Sequence, residues 1–230
     1  GLAGGLKNTL GLAPGARVML WMENRNEFLE LLFATWTAGL CAVPVNAKLH
    51  AREVAPIVLD SGASIIFTSA SMHAGLMEAL ATLPGSIPVV VVDGDEYQAL
   101  MRSAMIGCAQ VEPTDLAWLF YTSGTTGVPK GAMLSHRNLM TMCLQYYADV
   151  DHVSPGQTMF HAAALSHGSG LYALPHLFSG GHQVIEKGFE TDAVFEALTH
   201  VTECQLGTLF VASLGDAIGD RAVGQHACNQ

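Results

Sequence analysis

Four short apolar runs decide the fold of this chain: Arg17-Val18-Met19-Leu20-Trp21, then Ala42-Val43-Pro44-Val45, then Ile65-Ile66-Phe67-Thr68, and finally Val89-Val90-Val91-Val92. Their apolar residues are continuous and do not alternate with polar ones. Continuous apolar runs of this length are typical of strands that are covered on both faces, as in a parallel sheet with helices on each side. We therefore predict a strand at each of these four positions.

Helix-forming segments separate the four strands. Asn24, followed three residues later by Glu27, resembles a capping box and predicts the start of the first helix, which Gly39 closes. The predicted helices cover residues 24–39, 51–59, 72–80 and 97–101, and the sequence Asp-Ser-Gly at 60–62 is the stop signal of the second helix. Repeated strand and helix order implies right-handed crossovers, so the sequence predicts an α/β fold with a doubly wound parallel sheet.

A second block of elements follows the interruption at residues 113–115. Two runs, 116–122 and 131–134, flank a loop rich in glycine and threonine and predict a hairpin. Ser135 caps a helix predicted to reach about residue 147, and the strand and helix order then resumes with strands at 158–160 and 183–185 and helices from about Ser169 and over 192–200. We expect a first subdomain over 1–110 and a second over 111–230, with an atypical tail at 203–230.

Composition excludes several classes of function. The 230 residues carry a net charge of -10, which argues against a nucleic-acid partner. Five cysteines without a C-x-x-C pair predict a reducing, cytoplasmic setting. The longest uncharged stretch, residues 31–46, is too short and too interrupted to predict a membrane span.

The loop of the predicted hairpin has the composition of a phosphate cradle. Residues 121–136 read Tyr-Thr-Ser-Gly-Thr-Thr-Gly-Val-Pro-Lys-Gly-Ala-Met-Leu-Ser-His. Glycines let the backbone approach an anion, hydroxyls add neutral donors, and Lys130 supplies a positive charge for phosphate oxygens. The spacing does not fit a P-loop NTPase, because Pro129 stands where that motif needs glycine and Gly131 follows the lysine where it needs serine or threonine.

This stretch resembles the phosphate-binding signature of the acyl-adenylate-forming (AMP-binding) superfamily, in particular its acyl-CoA synthetases. Segments 38–46 and 60–63 are similar to sheet segments of that family upstream of the loop. The resemblance implies a ligase that uses ATP and Mg²⁺ to convert a small-molecule carboxylate to an acyl-AMP. The acyl group then passes to coenzyme A, the acceptor we expect, or to a carrier protein. It implies ATP-binding roles for Thr122, Ser123, Gly124, Thr125, Thr126, Gly127 and Lys130.

The segment 160–171, Phe-His-Ala-Ala-Ala-Leu-Ser-His-Gly-Ser-Gly-Leu, is similar to the family's next motif. By that resemblance His167 lies where the acyl group meets the adenylate, and Ser169 and Ala173 are candidate walls of the acyl pocket. We assign no catalytic side chain and no metal ligand within the chain. The histidines between 161 and 182 lack the spacing of a zinc site, and neither Ser123 nor Ser169 lies in a G-x-S-x-G hydrolase motif.

Several later elements of the family pattern are not found in this sequence. They include the motif that contributes a glutamate to Mg²⁺ binding, the aspartate that binds the ribose, and the mobile domain with a catalytic lysine. We therefore expect a fragment of the large N-terminal domain that is inactive alone. The alternative is a non-catalytic α/β remnant or a partner-binding fragment. In either case, apolar surface left uncovered predicts self-association.

Overall fold

The computed structural model describes residues 1–122, 129–188 and 190–192. Within them, six strands form one sheet in the order β4-β3-β1-β2-β5-β6. The strands are β1 (Arg17–Trp21), β2 (Cys41–Pro44), β3 (Ile65–Thr68), β4 (Val89–Val91), β5 (Leu116–Thr122) and β6 (Lys130–Ser135). The five strands β1 to β5 pair in parallel, and β6 pairs antiparallel to β5. The predicted α/β fold with its mostly parallel sheet is confirmed.

Helices cover both faces of this sheet and enclose two separate cores. In the first core, on one face of the sheet, Leu20 of β1 and Trp118 of β5 pack with α2 (Asn26–Thr37) and α5 (Asp95–Met101). On the other face, Met19 and Tyr121 pack with α3 (Ala51–Ser61) and α4 (Ala70–Leu80). The continuous apolar runs are buried for this reason: β1, β2 and β3 have covered residues on both sides of the sheet.

The helix termini agree with the sequence at α3 and differ at α2. Gly62 ends α3 in the left-handed conformation, with a φ of 59°, as the predicted stop signal requires. The first residue before α2 is Arg25 and not Asn24, and no side chain caps this helix start. The predicted capping box is wrong because Glu27 accepts a hydrogen bond from Arg25 Nε at 2.8 Å and Asn24 bonds elsewhere.

An amino-terminal helical segment was not predicted. It begins as α1 (Leu2–Gly4) and continues as a π-helical turn over Gly5–Thr9. Leu2 and Leu6 are buried in the first core. The segment packs so closely that a Cβ added at Gly4 would lie 1.9 Å from the carbonyl oxygen of Ala104. Glycine is therefore required at Gly4 by close packing, which a search for periodic apolar residues does not detect.

A smaller sheet follows the hairpin. It consists of β7 (Thr158–His161) and β8 (His182–Ile185), which pair in parallel and pack with α7 (Gly168–Phe178). Helix α7 also contacts α6 (His136–Asp149), which in turn packs on the hairpin. The hairpin β5–β6 hydrogen-bonds to β2 and so extends the first sheet. The expected subdomain boundary at 110/111 stays a prediction, and the helix predicted over 192–200 lies, beyond Asp192, outside the described residues, as does the tail 203–230.

Among the described residues, no helix has the length and apolar character needed to cross a bilayer.

Candidate functional site

The two residues that flank the candidate phosphate loop pair with each other in the hairpin. Thr122 is the last residue of β5 and Lys130 the first residue of β6, and the two lie opposite each other in the antiparallel register. Both are exposed. Ser123, Gly124, Thr125, Thr126 and Gly127 lie outside the described residues. The structure therefore places the two ends of the loop side by side, with the side chain of Lys130 accessible to an anion.

Tyr121 anchors the strand that leads into the loop. Its side chain is buried, and its hydroxyl donates a hydrogen bond to Asp60 Oδ2 at 2.5 Å. Its ring lies against the opposite residue, Gly131, where an added Cβ would approach Tyr121 Cζ to 2.9 Å. Burial, and then the hydrogen bond to Asp60, raise the pKa of Tyr121 well above its usual value. The hydroxyl therefore remains a neutral donor at physiological pH.

His167 lies next to the same strand on the other face. Its ring meets the ring of Phe120 edge to face, with the ring centroids 5.3 Å apart. The residue immediately precedes α7, and its Nδ1 lies 2.9 Å from Ser166 Oγ. Burial lowers its pKa, so the imidazole is neutral near pH 7. Because Phe120 is two residues before Thr122, its side chain and that of Thr122 share one face of β5.

Ser169 and Ala173 are both fully buried in the described structure. The Ser169 hydroxyl lies 2.7 Å from His161 Nδ1, and the other ring nitrogen of His161 lies 2.6 Å from Gln183 Oε1. Burial lowers the pKa of His161 to about 4. Ser169 thus belongs to a buried polar network, and neither it nor Ala173 presents a surface in the described structure. Their roles as pocket walls stay predictions.

Asn24 makes a contact that sequence reasoning missed. Its Nδ2 donates to the carbonyl oxygen of Ala163 at 2.8 Å, and its Oδ1 accepts from the amide of Leu165 at 2.9 Å. These partners are separated from it by more than 130 residues of sequence. One sequence signal could have indicated a role for Asn24: it lies just after a strand, at the edge where ligands bind in α/β sheets. The capping-box pattern assigned Asn24 to a helix cap instead.

A metal centre is not found in the described part of the chain. No group of three or more histidine, cysteine, aspartate or glutamate side chains there could hold a metal ion. We derive no step through a protein-bound Mg²⁺.

Comparison with known proteins identifies the family. The family model described as "AMP-binding enzyme" matches residues 1–212. The chain belongs to the AMP-binding enzyme family. Feruloyl-CoA synthase from Amycolatopsis sp is 36% identical to this AMP-binding chain over 209 residues, which are 86% of the chain and 39% of that protein. The long-chain-fatty-acid–CoA ligase FadD13 from Mycobacterium tuberculosis is 34% identical over 167 residues, which are 68% of the chain and 33% of that protein.

Solved structures of the family share this fold. The ATP-bound MatB from Rhodopseudomonas palustris aligns with a TM-score of 0.75 at 29% identity, covering 87% of the AMP-binding chain and 41% of MatB. The N-terminal domain of FACL13 from Mycobacterium tuberculosis aligns with a TM-score of 0.76 at 26% identity, covering 85% of the chain and 50% of that domain. The chain spans about two fifths of the length of feruloyl-CoA synthase, and half or less of each structure.

Proposed function

We propose that the protein to which this chain belongs activates a small-molecule carboxylate with ATP and transfers the resulting acyl group to coenzyme A. The observation that carries the proposal is the hairpin end, where Thr122 and the exposed Lys130 are paired at the mouth of a loop with the family's phosphate-binding sequence. His167 lies beside the same strand, against Phe120. The names of the relatives, several of which are CoA ligases or synthases, support coenzyme A as the acceptor.

The proposed chemistry has two steps. A carboxylate oxygen attacks the α-phosphorus of ATP, the bond to the β-phosphate breaks, and pyrophosphate leaves. The sulfur of coenzyme A then attacks the acyl carbon, AMP leaves with the bonding electrons, and the thiol proton is released to solvent. In the first step Lys130 and the loop Ser123, Gly124, Thr125, Thr126 and Gly127 would bind the β- and γ-phosphates, together with Thr122. Mg²⁺ would enter bound to the ATP phosphates.

Lys130 is suited to the role of phosphate ligand. Within residues 1–122 and 129–188, the ion pairs join Arg25 to Glu27 and Asp93, and Arg52 to Glu78, and none includes Lys130. Its ammonium group therefore has no competing carboxylate in the described structure. A lysine fixed at the start of β6, opposite Thr122, can bind a phosphate without first breaking an ion pair.

We propose further that this 230-residue chain alone binds ATP at about millimolar concentration or more weakly and forms no acyl-adenylate. Three or four charge-assisted hydrogen bonds from the loop each contribute about 1.5 to 3 kcal/mol. The lost freedom of the ligand opposes them by about 4 kcal/mol or more, and ordering of the loop adds to that cost. The net free energy of binding that is left, about -4 kcal/mol, corresponds to a millimolar dissociation constant.

The test is a calorimetric titration of MgATP into the chain and its variants. Lys130→Ala removes the proposed phosphate ligand, and Lys48→Ala, an exposed lysine in the loop after β2, is the matched control. We expect Lys130→Ala to weaken ATP binding by about tenfold, the scale of one charge-assisted hydrogen bond, and Lys48→Ala to leave it unchanged. Equal effects of the two substitutions would contradict the phosphate-site assignment.

Carboxylate-dependent exchange of pyrophosphate into ATP tests the chemical step. We expect no exchange from the chain alone. Exchange that is lost in Lys130→Ala would support the phosphate site and overturn the proposal that the chain alone is inactive.

A second candidate function is a non-catalytic fragment that associates with another copy or with a partner. The observation that favours it is the exposure of large apolar side chains on and near α6, where Met140 is 49% and Leu144 is 64% exposed. Sedimentation at tens of micromolar tests it, with Leu144→Lys as the variant. A monodisperse monomer that binds no hydrophobic dye would contradict self-association.

The cytoplasmic setting is also a proposal. It is supported by Cys41, Cys108 and Cys143, which are free thiols in the described structure.

A further inference from the structure

Asn24 connects two parts of the molecule that are far apart in sequence. It follows β1 by three residues, is 9% exposed, and binds the backbone on both sides of Ala164 with one amide group. The donor and the acceptor of the amide are both used, with distances of 2.8 Å to Ala163 O and 2.9 Å to Leu165 N. Such a two-point contact fixes the position and the orientation of the bound backbone.

The backbone that Asn24 binds has no strand or helix to hold it. β7 ends at His161 and α7 begins at Gly168, so the residues between them form an irregular connection. A buried backbone amide or carbonyl needs a partner, and the Asn24 side chain supplies one for each of two such groups. The Leu165 side chain is fully buried in the first core and is a second point of attachment.

His167 lies two residues beyond this attachment, and its ring packs against β5. The strand register explains why the Asn24 contact and the contact between His167 and Phe120 lie close together. Val18 of β1 pairs with Ala42 of β2, and Ala42 pairs with Trp118 of β5. Phe120 is therefore level with Leu20, four residues before Asn24. Because β1, β2 and β5 are parallel, Asn24 and Thr122 both lie at the carboxyl edge of the sheet.

We propose that Asn24 is a positioning residue, which holds the connection before α7 so that His167 stays against Phe120 beside the mouth of the phosphate loop. Through His167 it sets the wall of the carboxylate site, a consequence that rests on the proposed function. Without the amide, the connection would keep its buried Leu165 side chain and the turn bond from His167 N to Ala164 O, but the backbone at Ala163 and Leu165 would lose its side-chain partner, and the His167 ring could move away from β5.

The first experiment measures the position of His167 directly. The ¹³Cε1–H signals of labelled histidines are recorded on the chain at one pH, with His167→Gln to assign the signal. In the wild type this signal carries the ring-current shift of Phe120. We expect Asn24→Ala to remove most of that shift. Asn24→Asp, which keeps an acceptor for Leu165 but loses the donor to Ala163, should reduce it.

The control is Tyr97→Phe, which also removes a hydrogen bond of a buried side chain, from Tyr97 OH to Glu30 Oε2 at 2.9 Å, and whose ring packs on Phe67 of β3. We expect it to leave the His167 signal unchanged. An unchanged signal in both Asn24 variants, or an equal shift in Tyr97→Phe, would overturn the positioning role.

The second experiment separates this inference from the proposed function. In the whole protein that carries these residues, we expect Asn24→Asp to raise the KM for the carboxylate about tenfold, the scale of one lost hydrogen bond, and to leave the KM for ATP unchanged. If the His167 signal moves and the carboxylate KM does not, the positioning role stands and the assignment of His167 to the acyl site is overturned. A rise in the KM for ATP alone would overturn the link between Asn24 and the carboxylate site.

Discussion

The two strands of the hairpin differ in burial, although they share one set of hydrogen bonds. On β5, residues 117–119 and Tyr121 are buried, and Trp118 is completely inaccessible. On β6 no residue is fully buried, and Met133 is 74% exposed. β5 has side chains buried in both cores, whereas β6 is an exposed edge strand that is held by its hydrogen bonds to β5. The position of Lys130 on β6 is therefore determined by β5. An exposed residue of β6 such as Lys130 thus depends on side chains of the opposite strand for its position.

The largest expected effect tests the buried strand. Trp118→Ala should lower the free energy of unfolding by about 3 to 5 kcal/mol, because it removes a large, fully buried side chain and leaves a cavity. Chemical denaturation followed by far-UV circular dichroism measures the change. A loss below about 1 kcal/mol, the average for any substitution, would mean that β5 is not fixed by its burial.

The second prediction tests the contact between the two strands. Gly131→Val should destabilise the chain by about 1 to 3 kcal/mol, because the added atoms would overlap the Tyr121 ring, which is itself packed. Gly107→Ala is the control, since a Cβ at Gly107 meets no atom within 4 Å. Thermal unfolding of both variants checks the prediction, and equal effects would show that the close approach at Gly131 is not restrictive.

The third prediction concerns the hydrogen bond that anchors β5. Tyr121→Phe should cost about 1 kcal/mol at pH 7, because Asp60 loses its donor. The pKa of Tyr121 is raised by folding, so the stability that this group contributes is fully present below the unfolded-state pKa of about 10 and is lost as the pH rises beyond it. The difference between wild type and variant should therefore shrink above about pH 10.

A double-mutant cycle with Asp60→Ala, which removes the acceptor, checks the third prediction. Because the two groups are in contact, their effects should not add. Additive effects, or a difference that grows at alkaline pH, would show that the hydroxyl does not anchor the strand through Asp60.

The smallest effect is expected on the exposed strand. Met133→Lys should change the free energy of unfolding by less than about 0.5 kcal/mol, since its side chain is largely in solvent. Denaturation in parallel with Trp118→Ala makes the comparison direct. A loss comparable to that of Trp118→Ala would mean that Met133 is covered in solution and that β6 is not an edge strand.

The fold was predictable from the sequence because it depends on local signals. Continuous apolar runs located β1, β3 and β5 at their observed bounds, and Gly62 marked the end of α3. The amino-terminal helical segment was missed because its glycines are required by close packing and not by periodicity. No local signal could show that Gly131 faces the Tyr121 ring.

The candidate site was predictable only in part. The loop sequence indicated Thr122 and Lys130, which the register of the hairpin brings together. The sequence predicts a helix cap at Asn24, because the same side chain suits either role and its observed partners are 139 and 141 residues away. Ser169 and Ala173 were selected by similarity to a motif, which carries no information about burial.

A row of neighbouring aromatic rings, of which His167 is the last, also gives the protein an optical signal of its own. Trp36 and Trp118 lie with ring centroids 6.0 Å apart, and Phe120 continues the row at 6.5 Å before it meets His167. Two indoles this close couple their electronic transitions, and Trp36 is held in place by a hydrogen bond to Ala117 O at 2.7 Å. A displacement of Phe120 by a ligand beside His167 would alter the asymmetry around this pair, so near-UV circular dichroism can report binding without any attached label.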